Sequence, residues 1–336
     1  MTPPDRCRLN MLVEAQQPAT PWPVKTGASM HTIELFDKKL RRYSRTTMAL
    51  QATIGIDAVA DDYYYFQTSA VGHGKMFLMA AVSGFGPDLI VIDLATGAGT
   101  RINDPLGGDK SFDSIVGIID EGPDTFLIVG SWFGVGGTSG TRLRRWDKAS
   151  VALLASGEST FTLAANRPSK YGAFLGFAND VFVGGNYHFN QFDLTTLEFT
   201  GVVADGVSSP FSFAAGGVTT FFRNPADFSA TLYGISGSEL RKAIFWYDTE
   251  TESYIPDGPY TAVNLRDLYA GLNIAEDIFP YALDHDGTHL YIHSDNAFNS
   301  PNQASILKVD PQTYAIQAYT PFPTTYTRGG VFAVEW

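Results

Sequence analysis

The sequence predicts an all-β fold of six four-stranded antiparallel sheets set around an axis, and three observations carry that prediction. First, the apolar stretches 33–36, 89–92, 143–146, 189–192, 244–247 and 306–309 each end in Asp: Asp37, Asp93, Asp147, Asp193, Asp248 and Asp310. Five of the six have a hydroxyl residue three positions on, at Thr96, Ser150, Thr196, Thr251 and Thr313, with Leu40 the exception. The smallest and largest gaps are 46 (193−147) and 62 (310−248), a period that marks a repeat architecture. Second, the strand before each of these is set off by residues that suit hairpins, such as Gly72-His73-Gly74, Gly122-Pro123-Asp124, Asn179-Asp180 and His285-Asp286-Gly287. Third, helical spacing is confined to residues 264–274, where Leu265, Leu268 and Leu272 share a face.

Taken in order, residues 1–30 form an irregular arm, because Pro3, Pro4, Pro18, Pro21 and Pro23 defeat helices. Residues 31–336 form one repeat domain. Stretches 76–82, 125–129, 181–184, 231–235 and 289–293 are rich in β-branched and aromatic residues and read as second strands. Each Asp starts a tight turn, its carboxylate accepting a backbone N–H while the Thr or Ser closes the other side. Outer strands follow at 98–102, 151–154, 199–203 and 315–319. The helical stretch reads as an insertion between repeats, and the poorly patterned stretch 201–228 leaves the count of sheets open by one. Residues 330–336 form a strand with no sheet of their own. Pairing of that strand with the N-terminal strands closes the ring and removes its free edges. Such a ring of four-stranded sheets is a β-propeller.

Residues 89–97 (LIVIDLATG) and 284–292 (DHDGTHLYI) resemble blades of the YVTN kind, with an Asp-Gly turn, an LYV-like strand and an Ile-Asp-x-x-Thr-Gly segment. Relation to WD repeats is looser, since Trp146-Asp147 stands without a Gly-His partner at the required spacing. The resemblance implies propeller architecture over residues 31–336 and names no substrate.

A formal net charge of −12 argues against a general nucleic-acid binder, which needs a basic face. The basic cluster at 38–42 reads as solvated edge-strand charge. One cysteine, Cys7, gives neither an intrachain disulfide framework nor a Cys-rich metal site. No stretch has the roughly 18 apolar residues of a membrane span, and the first residues lack the apolar core of a signal peptide. The chain is therefore expected to be made in a cytoplasm.

Candidate chemistry reads mostly as architecture. His285, His289 and His293, with Asp284, Asp286 and Asp295, would suit a metal on a helix. On a strand His289 and His293 stand about 13 Å apart, too far for one ion. Residues 284–288 open like a calcium loop but lack its later ligands. The glycine-rich stretch 134–140 lacks the Lys and helix of a phosphate loop and reads as a hairpin connection. No catalytic residue, cofactor or metal ligand is expected. The dense aromatics at 63–66, 211–213, 221–222, 245–247 and 279–281 are expected in the packing between blades. Trp132, Phe133, Tyr187 and Phe298 are expected in loops as contacts for a partner.

The expected function is non-enzymatic: a scaffold or adaptor subunit of a larger assembly, with residues 1–30 docking on neighbouring subunits. The low charge and the Gly, Thr, Phe and Asn content resemble bacteriophage virion components, including tail proteins. Two alternatives stand beside it. One is a hydrolase or lyase resembling propeller lactonases and glycosidases, marked by carboxylates and histidines converging at the channel mouth. The other is glycan binding by exposed aromatics.

Overall fold

Residues 75–82 (KMFLMAAV) are apolar at every position after Lys75, as suits a strand with both faces covered. Such strands recur throughout the computed structural model. It describes residues 25–336 apart from 35–37, 57–62, 83–87, 108–111, 134–138, 162–167, 176–179, 186–188, 204–218, 224–228, 237, 249–252, 257–259, 271, 273–277, 297–304 and 323–330.

Among the described residues the chain forms six antiparallel sheets in a propeller arrangement. The first runs, from the inside outward, β25 (Val331–Val334), β1 (Ser29–Glu34), β2 (Lys39–Ser44), β3 (Leu50–Gly55). The second holds β4 (Tyr63–Gly72), β5 (Lys75–Val82), β6 (Asp88–Asp93) and β7 (Gly99–Ile102). The third holds β8 (Phe112–Asp120), β9 (Thr125–Phe133), β10 (Ser139–Asp147) and β11 (Leu153–Phe161). In the fourth are β12 (Pro168–Leu175), β13 (Asp180–Gly185), β14 (Phe189–Asp193) and β15 (Phe199–Val203). The fifth comprises β16 (Thr219–Arg223), β17 (Ser229–Ser236), β18 (Glu239–Asp248), β19 (Ser253–Pro256) and β20 (Thr261–Asn264). The sixth comprises β21 (Ile278–His285), β22 (Leu290–Asn296), β23 (Ser305–Val309) and β24 (Ile316–Pro321).

Five sheets, rather than the expected six, are regular four-stranded blades. The fifth departs because β20 adds alongside β18, Thr261 opposite Lys242 and Asn264 opposite Glu239. The strand leads into the helix anticipated here, α1 (Leu265–Ala270), whose first turn is capped by the Asn264 side chain accepting from the Arg266 N–H. Leu265 and Tyr269 of α1 are buried against β21–β23.

The inner strands touch one another in a closed cycle: β25 to β4, β4 to β8, β8 to β12, β12 to β16, β16 to β21, and β21 back to β25. Closure is made by β25 pairing with β1, Met30 opposite Val334 and Ile33 opposite Val331. Between sheets, side chains alternate to opposite neighbours. Met76, Leu78 and Ala80 of β5 pack on Ile33, Leu40, Val331 and Ala333 of the first sheet. Phe77 and Met79 pack on Phe126, Ile128 and Trp146 of the third. Each large side chain so buried stabilises the fold by roughly 1.5–3 kcal/mol.

The Asp turns have the anticipated geometry where they are described. Asp93 Oδ1 accepts from the N–H groups of Ala95 and Thr96 and from the Thr96 hydroxyl, at 3.0, 2.8 and 2.8 Å. Asp310 repeats this with Gln312 and Thr313, Asp147 with Ser150, and Asp193 with the Thr196 N–H. The residue after each hydroxyl, Gly97, Val151, Leu197 or Tyr314, takes a positive φ and donates its N–H to the Asp carbonyl. Gly97 has a second reason to be glycine: a Cβ there would meet the Gly55 carbonyl oxygen at 2.5 Å and Ile54 at 2.7 Å.

These local bonds favour the ionised carboxylate, so Asp93, Asp147 and Asp310 lie below the ordinary value of 3.8. A depressed folded value means that the turns add stability which is fully present above about pH 3.8. That stability is lost as the pH falls through the folded values. Thermal melts from pH 6 to 2 should therefore show a steeper acid loss in the native chain than in the D93N/D147N/D310N triple variant. Asn keeps the turn and cannot titrate; equal slopes would remove the turns from the account.

Three expectations are corrected here. First, the strand ahead of Asp37, β1, is the second of its sheet and not the third; Asp37 itself lies outside the described residues. The third strand of the first sheet ends in Ser44, whose Oγ accepts from the Thr47 N–H at 3.1 Å, followed by Met48 at positive φ. Serine makes the same turn as Asp with a weaker acceptor, which is why the motif is out of phase there. Second, the basic cluster is not on an edge strand: β2 is interior to its sheet, and Arg41 is buried. Third, β1 begins at Ser29, within the stretch 1–30 expected to be irregular, of which residues 1–24 lie outside the described residues. Asp248 ends β18 as expected, and Thr251 lies outside the described residues.

Candidate functional site

In three of the sheets the turn after the third strand begins with a residue whose N–H reaches back toward the start of the second strand. Leu94 donates to the Gly74 carbonyl, Lys148 to that of Asp124 and Arg45 to that of Ala28. Leu94 and Leu194 hold this place with apolar side chains in the second and fourth sheets. Lys148 and Arg45 put cations there, and both side chains run toward one end of the inner strands.

That end holds a buried ion-pair network. Lys148 Nζ donates to Asp120 Oδ1 at 2.5 Å, to the Gly122 carbonyl at 2.6 Å and to the Val71 carbonyl at 3.1 Å. Gly72 leaves room for its stem, since a Cβ there would meet the Lys148 Cδ at 2.6 Å. Lys25, just ahead of β1, donates to both oxygens of Asp284 at 2.9 Å and lies 3.5 Å from Asp120 Oδ2. Asp120 ends β8 of the third sheet and Asp284 belongs to β21 of the sixth, three places apart in the cycle. The Lys25 ammonium thus spans the channel. The Trp336 ring lies 5.3 Å from the Lys25 nitrogen and 5.6 Å from that of Lys148, a double cation–π contact. Asp284 also accepts the Val334 N–H at 2.7 Å, so one carboxylate holds the segments on both sides of the closure.

The two lysines respond oppositely to this place. Burial opposes the charge on Lys25, but the flanking Asp284 and Asp120 win, and its value is raised. On Lys148 burial prevails over Asp120, helped by repulsion from Lys25, and its value is lowered. Beside them Asp286 accepts from Thr288 N–H, His289 N–H and the Tyr291 hydroxyl, with Arg45 at 3.7 Å. Burial pushes His285 down to about 4, so the ring is neutral and its Nδ1 accepts the Gly287 N–H at 3.1 Å.

The expected site residues are scattered. Trp132 is buried within β9, not exposed in a loop, because its strand is covered on both faces; this corrects its assignment as a partner contact. Phe133 ends β9, and Tyr187 and Phe298 lie outside the described residues. The three histidines occupy unlike places. His293 is buried between Phe322 and Phe332 at 5.2 and 6.2 Å, His289 pairs with Asp286 at 3.5 Å, and His285 closes the β21–β22 turn. Among the described residues no group of three or more acidic, His or Cys side chains could hold a metal ion. Nor is any helix among them long and apolar enough to cross a membrane.

No family model matches the chain, and no curated protein matches it. Solved structures resemble it at low identity. TolB from Acinetobacter baumannii is 11% identical with a TM-score of 0.47, over 96% of this chain and 69% of that one. A Bacteroides uniformis protein provisionally described as a 6-phosphogluconolactonase is 16% identical, TM-score 0.43, over 88% of this chain and 84% of its own. Hydrazine synthase of Kuenenia stuttgartiensis is 12% identical, TM-score 0.43, over 90% of this chain and 86% of that one. The fold assignment rests on the sheet pairing itself.

Proposed function

We propose that the chain is a non-enzymatic propeller of six blades, one of them widened by β20, that serves as a binding or scaffold subunit of a larger assembly. The observation that carries this reading is the ion-pair network at one end of the inner strands. Carboxylates of two sheets do converge there, as an enzyme's would, but Asp120 and Asp284 are each paired with a buried lysine, and the Trp336 ring lies over both lysine nitrogens. A general acid or nucleophile has to reach a substrate, and these carboxylates are largely buried and engaged by lysine ammonium groups. A ring covered on both faces of its sheets is instead a rigid platform whose loops and arm are free to vary. The narrower virion and phage-tail reading rests on composition alone.

The test pairs activity with assembly. The purified chain should turn over no lactone, glycoside or ester substrate above the buffer rate. Removing residues 1–24 should leave its melting temperature unchanged while lowering its native mass. Turnover that D284N abolishes in a folded protein would establish the enzymatic alternative. An unchanged native mass would remove the arm from assembly.

A further inference from the structure

We infer that the channel end is a binding site for a primary alkylammonium group, and that Lys25 is its internal occupant. The recognising groups belong to the ring, whereas the ammonium does not. Asp120 and Asp284 sit on inner strands of the third and sixth sheets, but Lys25 lies in a segment outside every sheet. The ammonium is held as a ligand would be, by both oxygens of Asp284 at 2.9 Å, by Asp120 Oδ2 at 3.5 Å and by the indole face at 5.3 Å. Asp120 Oδ2 is buried and makes no hydrogen bond of its own, so it is oriented for this cation alone.

Charge fixes the class of ligand. Two carboxylates and Lys148 leave one negative charge, which a single monovalent cation neutralises. Lys148 cannot fill the place itself, because its three donors already go to Asp120, Gly122 and Val71. The indole and the buried path of the Lys25 stem favour an alkyl chain with an ammonium head over a hydrated metal ion. A lysine side chain of another protein and a free alkylamine share this chemistry.

The experiment empties the site and offers it back. K25A should melt lower than the native chain. n-Butylammonium chloride should raise its melting temperature in a saturable way, as binding to the folded state requires. Sodium chloride at equal ionic strength should not. The native chain, with its site filled, and the K25A/D284N variant should both be unmoved. If K25A folds poorly, the recovered folded yield on refolding in butylammonium against sodium gives the same reading. No response, or an equal response to sodium, overturns the inference. A stronger response to Nα-acetyl-lysinamide than to butylammonium assigns the site to a protein-borne lysine; equal responses assign it to free amines.

Discussion

A chain ending at residue 330 is expected to lose its cooperative unfolding transition. The deletion removes β25, whose four residues Val331, Phe332, Ala333 and Val334 are all buried. Their burial is worth about 5–8 kcal/mol at roughly 0.8 kcal/mol per buried methylene, more for whole side chains. That is comparable with the 5–15 kcal/mol by which a folded domain exceeds its unfolded state. The loss is larger than the side chains alone, because β1 would be left with an unpaired inner edge and β4 and β21 would each lose a neighbour. Trp336, which covers both lysines, goes with it. Circular dichroism and calorimetry against temperature check the point; a sharp transition within a few degrees of the native one would show that β25 does not close the ring.

Replacement of Asp284 by Asn is the second large effect, with an expected cost of about 3–5 kcal/mol, typical of removing one partner from a buried pair. The Lys25 charge would stay buried with its nearest anion gone, and the amide would turn a donor or a weaker acceptor toward it. The Val334 N–H would also lose a charged acceptor. The pH dependence identifies the cause. Lys25 is raised above its ordinary value of 10.5 in the folded chain. Its pairing therefore adds stability that is fully present below about pH 10.5 and is lost as the pH rises through the folded value. The gap between native and variant midpoints in urea should be constant near neutrality and shrink in strong alkali. A gap that persists undiminished would assign the loss to the Val334 bond instead.

The sheet-forming pattern was legible because it is local. Asp93, Asp147, Asp193 and Asp310 announce their turns within four residues, and the hydroxyl partner is part of the same short stretch. The same locality misled at the first sheet, where the apolar stretch ahead of Asp37 begins in the second strand and Ser44 makes the turn after the third. It also hid β20, whose four residues pair with β18 only because the chain returns after β19. The ion-pair network carries no local signature at all, since Lys25 and Asp284 stand 259 positions apart. One signal existed. Aligning the turns puts Arg45 and Lys148 where Leu94 and Leu194 stand, and a cation in a place that two other repeats give to leucine calls for a nearby anion. Trp132 was misplaced for the converse reason: an aromatic beside a glycine-rich stretch looks like a loop residue until the length of β9 is known.

The closure has a consequence in time. β1 leaves the ribosome about 300 residues ahead of β25, which at ordinary rates of synthesis is roughly 15–60 s. During that interval its inner edge has no strand to pair with, and Met30 and Ile33 lack their contacts with β25. Non-local pairings of this span also make folding slow once the last strand is available. The first sheet is thus the last to be completed, although three of its four strands are the first to be made among the described residues. A nascent chain held in this state is exposed to pairing with its own copies, and how much folded protein accumulates should depend on the rate of elongation as much as on the stability of the finished ring.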